Sequence, residues 1–248
     1  MRIVATSGVV GRTVATGNSD LIVGLLTRDL GSIDAVARGA RGSRRRFGPA
    51  LGLLVLANHH LKQSASSLWT LEGSDVLQEW TTLASSVVSF AHATYGLELA
   101  RELFPTAEPQ PQVVPALVAL WDDLVEHGPT AARLRAYELH LLQVLGVGLS
   151  VAVCSACEGV SELNWFEPAG GGALCADCRK RTGSLCRPYS AGARDYLLQV
   201  LAPTVVAAQV DAAVDPRDRT MVRELIHAAI AGHIGRPLKS MEFLRKLR

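Results

Sequence analysis

Four cysteines form the clearest pattern of chemistry-bearing residues in the chain. They make two C-x2-C pairs separated by 17 residues, at Cys154, Cys157, Cys175 and Cys178. Each pair can direct two thiolates to one metal ion, and a separation of about 15–20 residues is typical of tetrahedral zinc sites. The pattern therefore predicts one structural zinc ion per chain, with no coordination position open for catalysis. Two redox dithiols are the alternative interpretation of the same residues.

A second pattern combines arginine with glycine. The stretch RGARGSRRRFG covers residues 38–48 and contains Arg38, Arg41, Arg44, Arg45, Arg46 and Phe47. Guanidinium forks match phosphate oxygens, and glycine lets the backbone approach a polyanion closely. A phenylalanine ring beside them could stack on an unpaired base. The stretch predicts a flexible nucleic-acid-binding loop, and a solvated surface loop is the alternative.

Charge is distributed unevenly along the chain. Residues 1–62 carry nine basic and three acidic side chains, residues 233–248 carry five and one, and the intervening part sums to −8. Such asymmetry indicates a polyanionic partner at the basic parts. Arg236 and Lys239 are the candidate DNA contacts near the C-terminus. A docking tail with incidental charge is the alternative there.

The elements that must position these residues change in type near residue 80. Five short apolar stretches separated by Gly and Asn turns, including one at Ser32–Arg38, predict a small barrel or sandwich. Apolar residues then recur at three- and four-residue steps on both sides of the cysteines. The predicted helices span residues 85–104, 113–126, 130–145, 191–201, 218–234 and 240–247. The zinc module therefore interrupts an all-α domain.

Several motifs are absent from the sequence. It contains no G-x-x-x-x-G-K-[ST] loop, no G-x-S-x-G elbow and no H-E-x-x-H pair, so we expect no enzyme and no nucleotide cofactor. No apolar run has the length of a membrane span, and the N-terminus lacks the cleavage region of a signal peptide. A cytoplasmic protein is expected, and clustered cysteines in that compartment are typically metal ligands.

Three segments resemble the RecO family of bacterial DNA repair and recombination mediators. They are AVARGARGSRRRFGPAL at 35–51, LRAYELHLLQVLGVG at 134–148 and HIGRPLKSMEFLRKL at 233–247. The resemblance implies an α+β multidomain chain, with an OB-fold β-barrel at 1–80 and a helical domain at 81–150 and 187–248. A four-cysteine zinc module at 151–186 would lie between the two helical parts.

The resemblance also implies a function. A RecO-like protein would bind single- and double-stranded DNA, anneal complementary strands and act with RecR. The C-terminal tail of the single-stranded DNA-binding protein would recruit it, and together these partners would help load RecA. Such a protein would be nucleoid-associated in the cytoplasm.

The resemblance carries over to individual positions. It makes the five arginines of residues 38–46 DNA contacts and the four cysteines metal ligands, and Arg135 becomes the candidate that holds the acidic partner tail. Some family members lack the cysteines, so zinc cannot be essential to the shared activity. Two other functions stay open from the residues alone. These are an RNA-binding protein, because basic loops do not distinguish DNA from RNA, and a zinc-dependent nuclease.

Overall fold

A computed structural model describes residues 2–63, 68–202 and 207–247, together with the side chains of most of them. The chain forms two compact units. The first comprises Met1–Gly128 and Leu238–Arg248, and the second comprises Pro129–Pro237. The predicted domain boundaries of 80, 150 and 186 divide the chain differently and stay a prediction. No helix in the described ranges is long and apolar enough to cross a membrane.

The first unit begins with a closed five-stranded barrel. Its strands are β1 (Arg2–Thr16), β2 (Asp20–Thr27), β3 (Gly31–Ala37), β4 (Val55–Gln63) and β5 (Trp69–Glu79). The strand order is β1-β2-β3-β5-β4, and β1 closes the barrel by pairing with β4. All pairings are antiparallel except β3 with β5. This arrangement confirms the predicted OB-like barrel and is that of the OB-fold.

Side-chain alternation explains the closed core. On β3 the residues Ile33, Ala35 and Ala37 are buried while those between them are partly exposed, as a strand with one inward face requires. Strand β1 bends near Gly11, where its register with β2 shifts between Val10 and Arg12. The Arg101 side chain occupies the place where a Cβ of Gly11 would lie, and Nη1 of Arg101 donates to the Gly11 carbonyl at 3.0 Å.

A buried histidine links three strands of the barrel. Nδ1 of His59, on β4, lies 2.9 Å from Oγ of Ser74 on β5, and its Nε2 lies 3.3 Å from the carbonyl of Gly8 on β1. The neighbouring His60 is partly exposed and lies 2.7 Å from Asp75. Burial lowers the pKa of His59 to about 4, although the Gly8 hydrogen bond opposes the shift. The ring is therefore neutral at physiological pH.

Besides the short helix α1 (Arg44–Phe47), the described part of the first unit has three longer helices: α2 (Val87–Leu103), α3 (Val113–His127) and α9 (Lys239–Lys246). A 3-10 turn at Thr81–Ser85 leads into α2, and Ser86 caps it by accepting from the amide of Ser89. The Glu98 carboxylate on α2 accepts from the backbone amides of Lys239 and Ser240 at 3.1 and 2.8 Å. It also accepts from the Ser240 hydroxyl. One carboxylate thus fixes the start of α9, where the helix dipole favours negative charge.

In the residues that the structure describes, the second unit contains four longer helices and a small cysteine-bearing module. The helices are α4 (Ala131–Val144), α6 (Ala191–Leu201), α7 (Ala207–Ala213) and α8 (Pro216–Ala231). The module holds the strands β6 (Trp165–Glu167), β7 (Gly172–Leu174) and β8 (Arg187–Pro188), in the order β7-β6-β8, and the short helix α5 (Ala176–Arg181). Asp211 joins α7 to the start of α4 by accepting from the amides of Ala131 and Ala132 at 2.7 and 3.1 Å.

The His59 contacts predict a specific pH dependence of stability. Because the folded state keeps His59 neutral down to about pH 4 while the unfolded chain protonates it near pH 6.5, the folded state binds fewer protons between these values. Stability is therefore retained above pH 6.5 and falls as the pH drops toward 4, by at most about 3 kcal/mol. In urea unfolding, the natural chain should show this decrease in stability at low pH, and the decrease should be absent in His59→Gln. His60→Gln, the control, should keep it, and equal pH dependence in all three proteins would contradict the assignment.

Candidate nucleic-acid interface and metal centre

The predicted basic loop is an ordered segment. Residues Arg44–Phe47 form one helical turn, α1, and Gly48–Leu51 form a 3-10 turn directly after it. Its start is fixed to the β1–β2 turn, since the amide of Gly39 donates to Oδ1 of Asp20 at 2.8 Å and the amide of Arg41 to the Ser19 carbonyl at 3.1 Å. The helical turn and these contacts oppose the prediction of a flexible loop for this part of the chain. Asp20 is not among the residues predicted to form the site, although its position directly after the Gly-Asn-Ser turn marks it as a possible hydrogen-bond acceptor for a backbone amide such as that of Gly39.

Phe47 anchors the segment from inside. Its side chain is 2% exposed and belongs to the core cluster of the barrel, with Leu51 packed against that cluster. This burial opposes the prediction that the ring stacks on a base, because stacking would require the ring to leave the apolar interior, and a role for Phe47 in DNA contact stays a prediction. Burial of a phenylalanine stabilises a fold by roughly 1.5–3 kcal/mol, and this holds the short helix onto the barrel.

The arginines around Phe47 point outward. Arg38, Arg41, Arg45 and Arg46 are exposed, and no carboxylate in the described ranges forms an ion pair with any of them. Arg46 is held in place: it donates to the Arg38 carbonyl at 2.7 Å and to Oγ of Ser43 at 3.1 Å, and its guanidinium lies 5.0 Å from the Phe47 ring centre. The Arg44 side chain lies outside the part of the chain that the structure describes.

The two C-terminal candidates lie in different units. Arg236 is exposed near the end of the second unit, and Lys239 is exposed at the first position of α9 in the first unit. Helix α9 also presents Arg245 and Lys246 to solvent. A role for Arg236 and Lys239 in DNA contact stays a prediction.

The four cysteines converge in the second unit. Their sulfurs all lie within 4.8 Å of one another, and Sγ of Cys157 and Sγ of Cys175 are 3.9 Å apart. A tetrahedron with metal–sulfur bonds of about 2.3 Å has sulfurs roughly 3.8 Å apart, so the cluster has the size that such an ion requires. Cys186 lies outside the cluster, as the spacing predicted. The four thiols can therefore hold a metal ion.

Local backbone contacts prepare the cluster for a cation. Burial opposes ionisation of Cys154, but hydrogen bonds from the amides of Cys175, Ala156 and Cys157 lower its pKa to about 6. Nη2 of Arg181 lies 3.0 Å from Sγ of Cys178. The β6–β7 hairpin brings the second pair to the first, and the amide of Ser155 donates to the Ala173 carbonyl at 2.8 Å. The amide hydrogen bonds favour negative charge on the sulfur of Cys154, which metal binding requires. Burial and the neighbouring thiols raise the pKa of Cys178, and the Arg181 guanidinium opposes that rise.

Arg135 is an internal residue of the second unit. It is 4% exposed, its Nη2 donates to Oε1 of the buried Glu138 at 2.8 Å, and its Nη1 lies 3.0 Å from Nε2 of His227. A carboxylate from another chain would have to displace Glu138, and breaking a buried ion pair costs about 3–5 kcal/mol. The structure thus gives Arg135 a partner within its own unit, which opposes the predicted role in holding a partner tail.

Comparison with known proteins covers the whole chain. The family described as Recombination protein O N terminal matches residues 1–80, and Recombination protein O C terminal matches residues 85–242. The DNA repair protein RecO of Anaeromyxobacter sp. (strain K) is 36% identical over 98% of this chain and 96% of its own length. Its namesake from Myxococcus xanthus (strain DK1622) is 34% identical over 95% and 94%. The DNA repair protein RecO of Symbiobacterium thermophilum is 34% identical over 100% and 99%. With an OB-like barrel, a four-cysteine cluster and relatives of this similarity along its full length, the chain belongs to the RecO family of DNA repair and recombination proteins.

Proposed function

We propose that this protein is a non-enzymatic mediator of recombination that binds single- and double-stranded DNA and anneals complementary strands. The observation that carries the proposal is the exposed arginine segment on the barrel, with Arg38, Arg41, Arg45 and Arg46 free of carboxylate partners in the described ranges. An OB-fold binds single strands through a positive groove without catalysis. Annealing requires only that phosphates are held while base edges stay accessible.

Family membership supports the partners that we propose. With RecR, the protein would help load RecA onto DNA coated by the single-stranded DNA-binding protein, whose acidic C-terminal tail would recruit it. This role places it in the cytoplasm, close to the nucleoid. The buried, ion-paired state of Arg135 indicates that the acidic tail uses a different basic surface.

Zinc is the metal that best fits the cysteine cluster. Four thiolates at tetrahedral spacing form the closed site that structural zinc occupies, and the ion would fix the β6–β7 hairpin and α5. Cys154, Cys157, Cys175 and Cys178 would hold one ion per chain. Its contribution would be folding free energy of the module, without a reaction at the metal.

The arginine segment can be tested by charge removal. Changing Arg44, Arg45 and Arg46 together to Ala should weaken binding to single strands at low salt. It should also reduce the slope of log K against log salt by about 2, because each lost phosphate contact contributes roughly 0.7 for single strands. The measurement is a fluorescence-anisotropy titration at several salt concentrations, with annealing of complementary strands followed in parallel. Arg28→Ala removes an exposed arginine outside the segment and should leave the slope unchanged.

Three results would contradict the proposal. Unchanged annealing in the triple variant would move the site elsewhere. Cleavage of labelled strands in magnesium would indicate a nuclease. Stronger binding of matched RNA than of DNA in competition would favour an RNA-binding protein.

The Phe47→Leu variant distinguishes a structural role of Phe47 in the barrel core from a role in base stacking. Phe47→Leu should lower the free energy of unfolding by about 1–2 kcal/mol, because it removes buried apolar volume from the barrel. It should leave the salt slope and the affinity for single strands within about twofold when the protein is folded. Urea unfolding and strand titration of the same sample measure both quantities. A large loss of affinity for single strands in a stably folded variant would support base stacking by Phe47.

Metal analysis tests the zinc assignment. Purified protein should contain close to one zinc per chain, and Cys157→Ser should lose most of it and become sensitive to proteolysis within residues 151–186. Cys186→Ser is the matched control, since its thiol lies outside the cluster, and it should keep the metal. Less than about half a mole of zinc per chain in the natural protein would refute the assignment.

A further inference from the structure

Arg2 is an exposed cation outside the arginine segment of residues 38–46. It begins β1, and its guanidinium carbon lies 5.6 Å from the ring centre of Trp69, the first residue of β5. Within the described ranges, no carboxylate forms an ion pair with Arg2. Stacking on a ring engages the face of a guanidinium and leaves its in-plane N–H groups available for other partners. Arg2 is therefore a held cation with donors to offer.

The strand register brings Arg2 to the arginine segment. Arg2 pairs with Gln63, the last residue of β4. Strand β5 is antiparallel to β4 and therefore begins beside that end, and it runs parallel to β3 with Trp69 opposite Ala35. Strand β3 ends at Ala37, and the arginine segment follows directly. Arg2 and the arginine segment therefore lie at the same end of the barrel.

The barrel core supports cations at this end. Trp69 and Phe47 both belong to the cluster of buried side chains inside the barrel. Arg2 lies over the Trp69 ring, and Arg46 lies 5.0 Å from the centre of the Phe47 ring. The α1 turn also approaches β5, since the Arg46 carbonyl lies 3.4 Å from the place that a Cβ of Gly73 would take. One apolar core thus fixes both guanidinium groups.

The carboxylates on the neighbouring strands have other partners. Glu72 on β5 lies 3.6 Å from Nζ of Lys62, and Asp34 on β3 lies 2.6 Å from Nη2 of Arg12. Next to the arginine segment, Asp20 accepts from a backbone amide at 2.8 Å. The exposed guanidinium groups at this end of the barrel therefore carry positive charge that no described carboxylate neutralises, and such a surface attracts a polyanion.

We propose that Arg2 is a further phosphate contact for single-stranded DNA and that Trp69 is the residue that positions it. A strand held by the arginine segment would continue across the barrel end to the Arg2 guanidinium. The inference rests on the proposed function, because it lengthens the surface that the arginine segment begins. A guanidinium already held on a ring loses less conformational freedom on binding phosphate than an unsupported side chain does. The Trp69 ring itself is buried and carries Arg2, so it positions the cation and does not stack on a base.

Charge removal in the full chain tests the contact. Arg2→Ala should weaken binding of a labelled oligothymidine strand several-fold at low salt, and it should lower the slope of log K against log salt by about 0.7, for one lost phosphate contact. A mixed-sequence strand should weaken by the same factor, because a phosphate contact does not read bases. Arg28→Ala is the matched control. It removes an exposed arginine from the β2–β3 turn, at the opposite end of the barrel, and should leave affinity and slope unchanged.

A double-mutant cycle tests the positioning role. Trp69→Leu removes the ring beneath Arg2 and should weaken strand binding toward the value of Arg2→Ala. It should have no further effect in a chain that already carries Arg2→Ala, since both changes remove the same contact. Trp69→Phe keeps an aromatic face and should retain most of the affinity. Because Trp69 is buried, urea unfolding of each variant establishes that the titrated protein is folded.

Each other outcome has a defined meaning. Unchanged affinity and slope in Arg2→Ala would overturn the inference, and the proposed function would stand if changing Arg44, Arg45 and Arg46 together still weakens binding. Weaker binding in Arg2→Ala but not in that triple variant would support the Arg2 contact and refute the arginine segment. Equal weakening by Trp69→Leu with and without Arg2 would reveal a structural effect and overturn the positioning role. If Arg2→Ala weakens a fluorescent polyglutamate peptide but not the strand, the surface binds acidic peptides, which also overturns the inference.

Discussion

Closure of the barrel is the constraint on which the first unit depends. Strand β1 pairs with β4 through its first half and with β2 through its second half, so a single strand must serve both edges. It can do so only by bending, and the bend occurs at Gly11, where the Arg101 side chain takes the space that a Cβ would need. The same contact joins α2 to the barrel. His59 then links β1, β4 and β5 from within, and its neutral ring lets this closure persist without a buried charge.

The arginine segment follows from that closed core. The chain leaves β3 and must reach the start of β4, and Phe47 inserts into the barrel along the way. One buried ring therefore orients a short helix whose other face carries guanidinium groups toward solvent. Burial of Phe47 offsets the conformational entropy lost when the segment becomes ordered. Arg46 is further held by its bonds to Arg38 and Ser43. Preorganised donors bind a polyanion with less ordering cost than a flexible loop would.

In the second unit, the constraint is how the short strands of the cysteine module are held together. Its three short strands of two or three residues cannot form a stable sheet alone, so the cysteine cluster and the helices around it must hold them. Once held, β8 places Arg187 and Pro188 beside the first half of α8. The cysteine cluster thus supports strands that contain no metal ligand themselves. Arg135, by contrast, is paired within the unit with Glu138 and His227.

Local patterns determined much of this protein. The period-two alternation of residues 32–38 fixed which face of β3 is buried, three- and four-residue periodicity located helices such as α6 at Ala191–Leu201, and cysteine spacing identified the four thiols that converge. These signals depend on neighbours in sequence or on rigid coordination geometry. Tertiary structure alone decided that Phe47 is core, that Arg135 is paired internally and that Arg2 lies over the Trp69 ring. Each of these outcomes depends on residues distant in the chain, because burial and ion pairing are set by what the folded backbone brings near, and a side chain's type does not reveal its future partner.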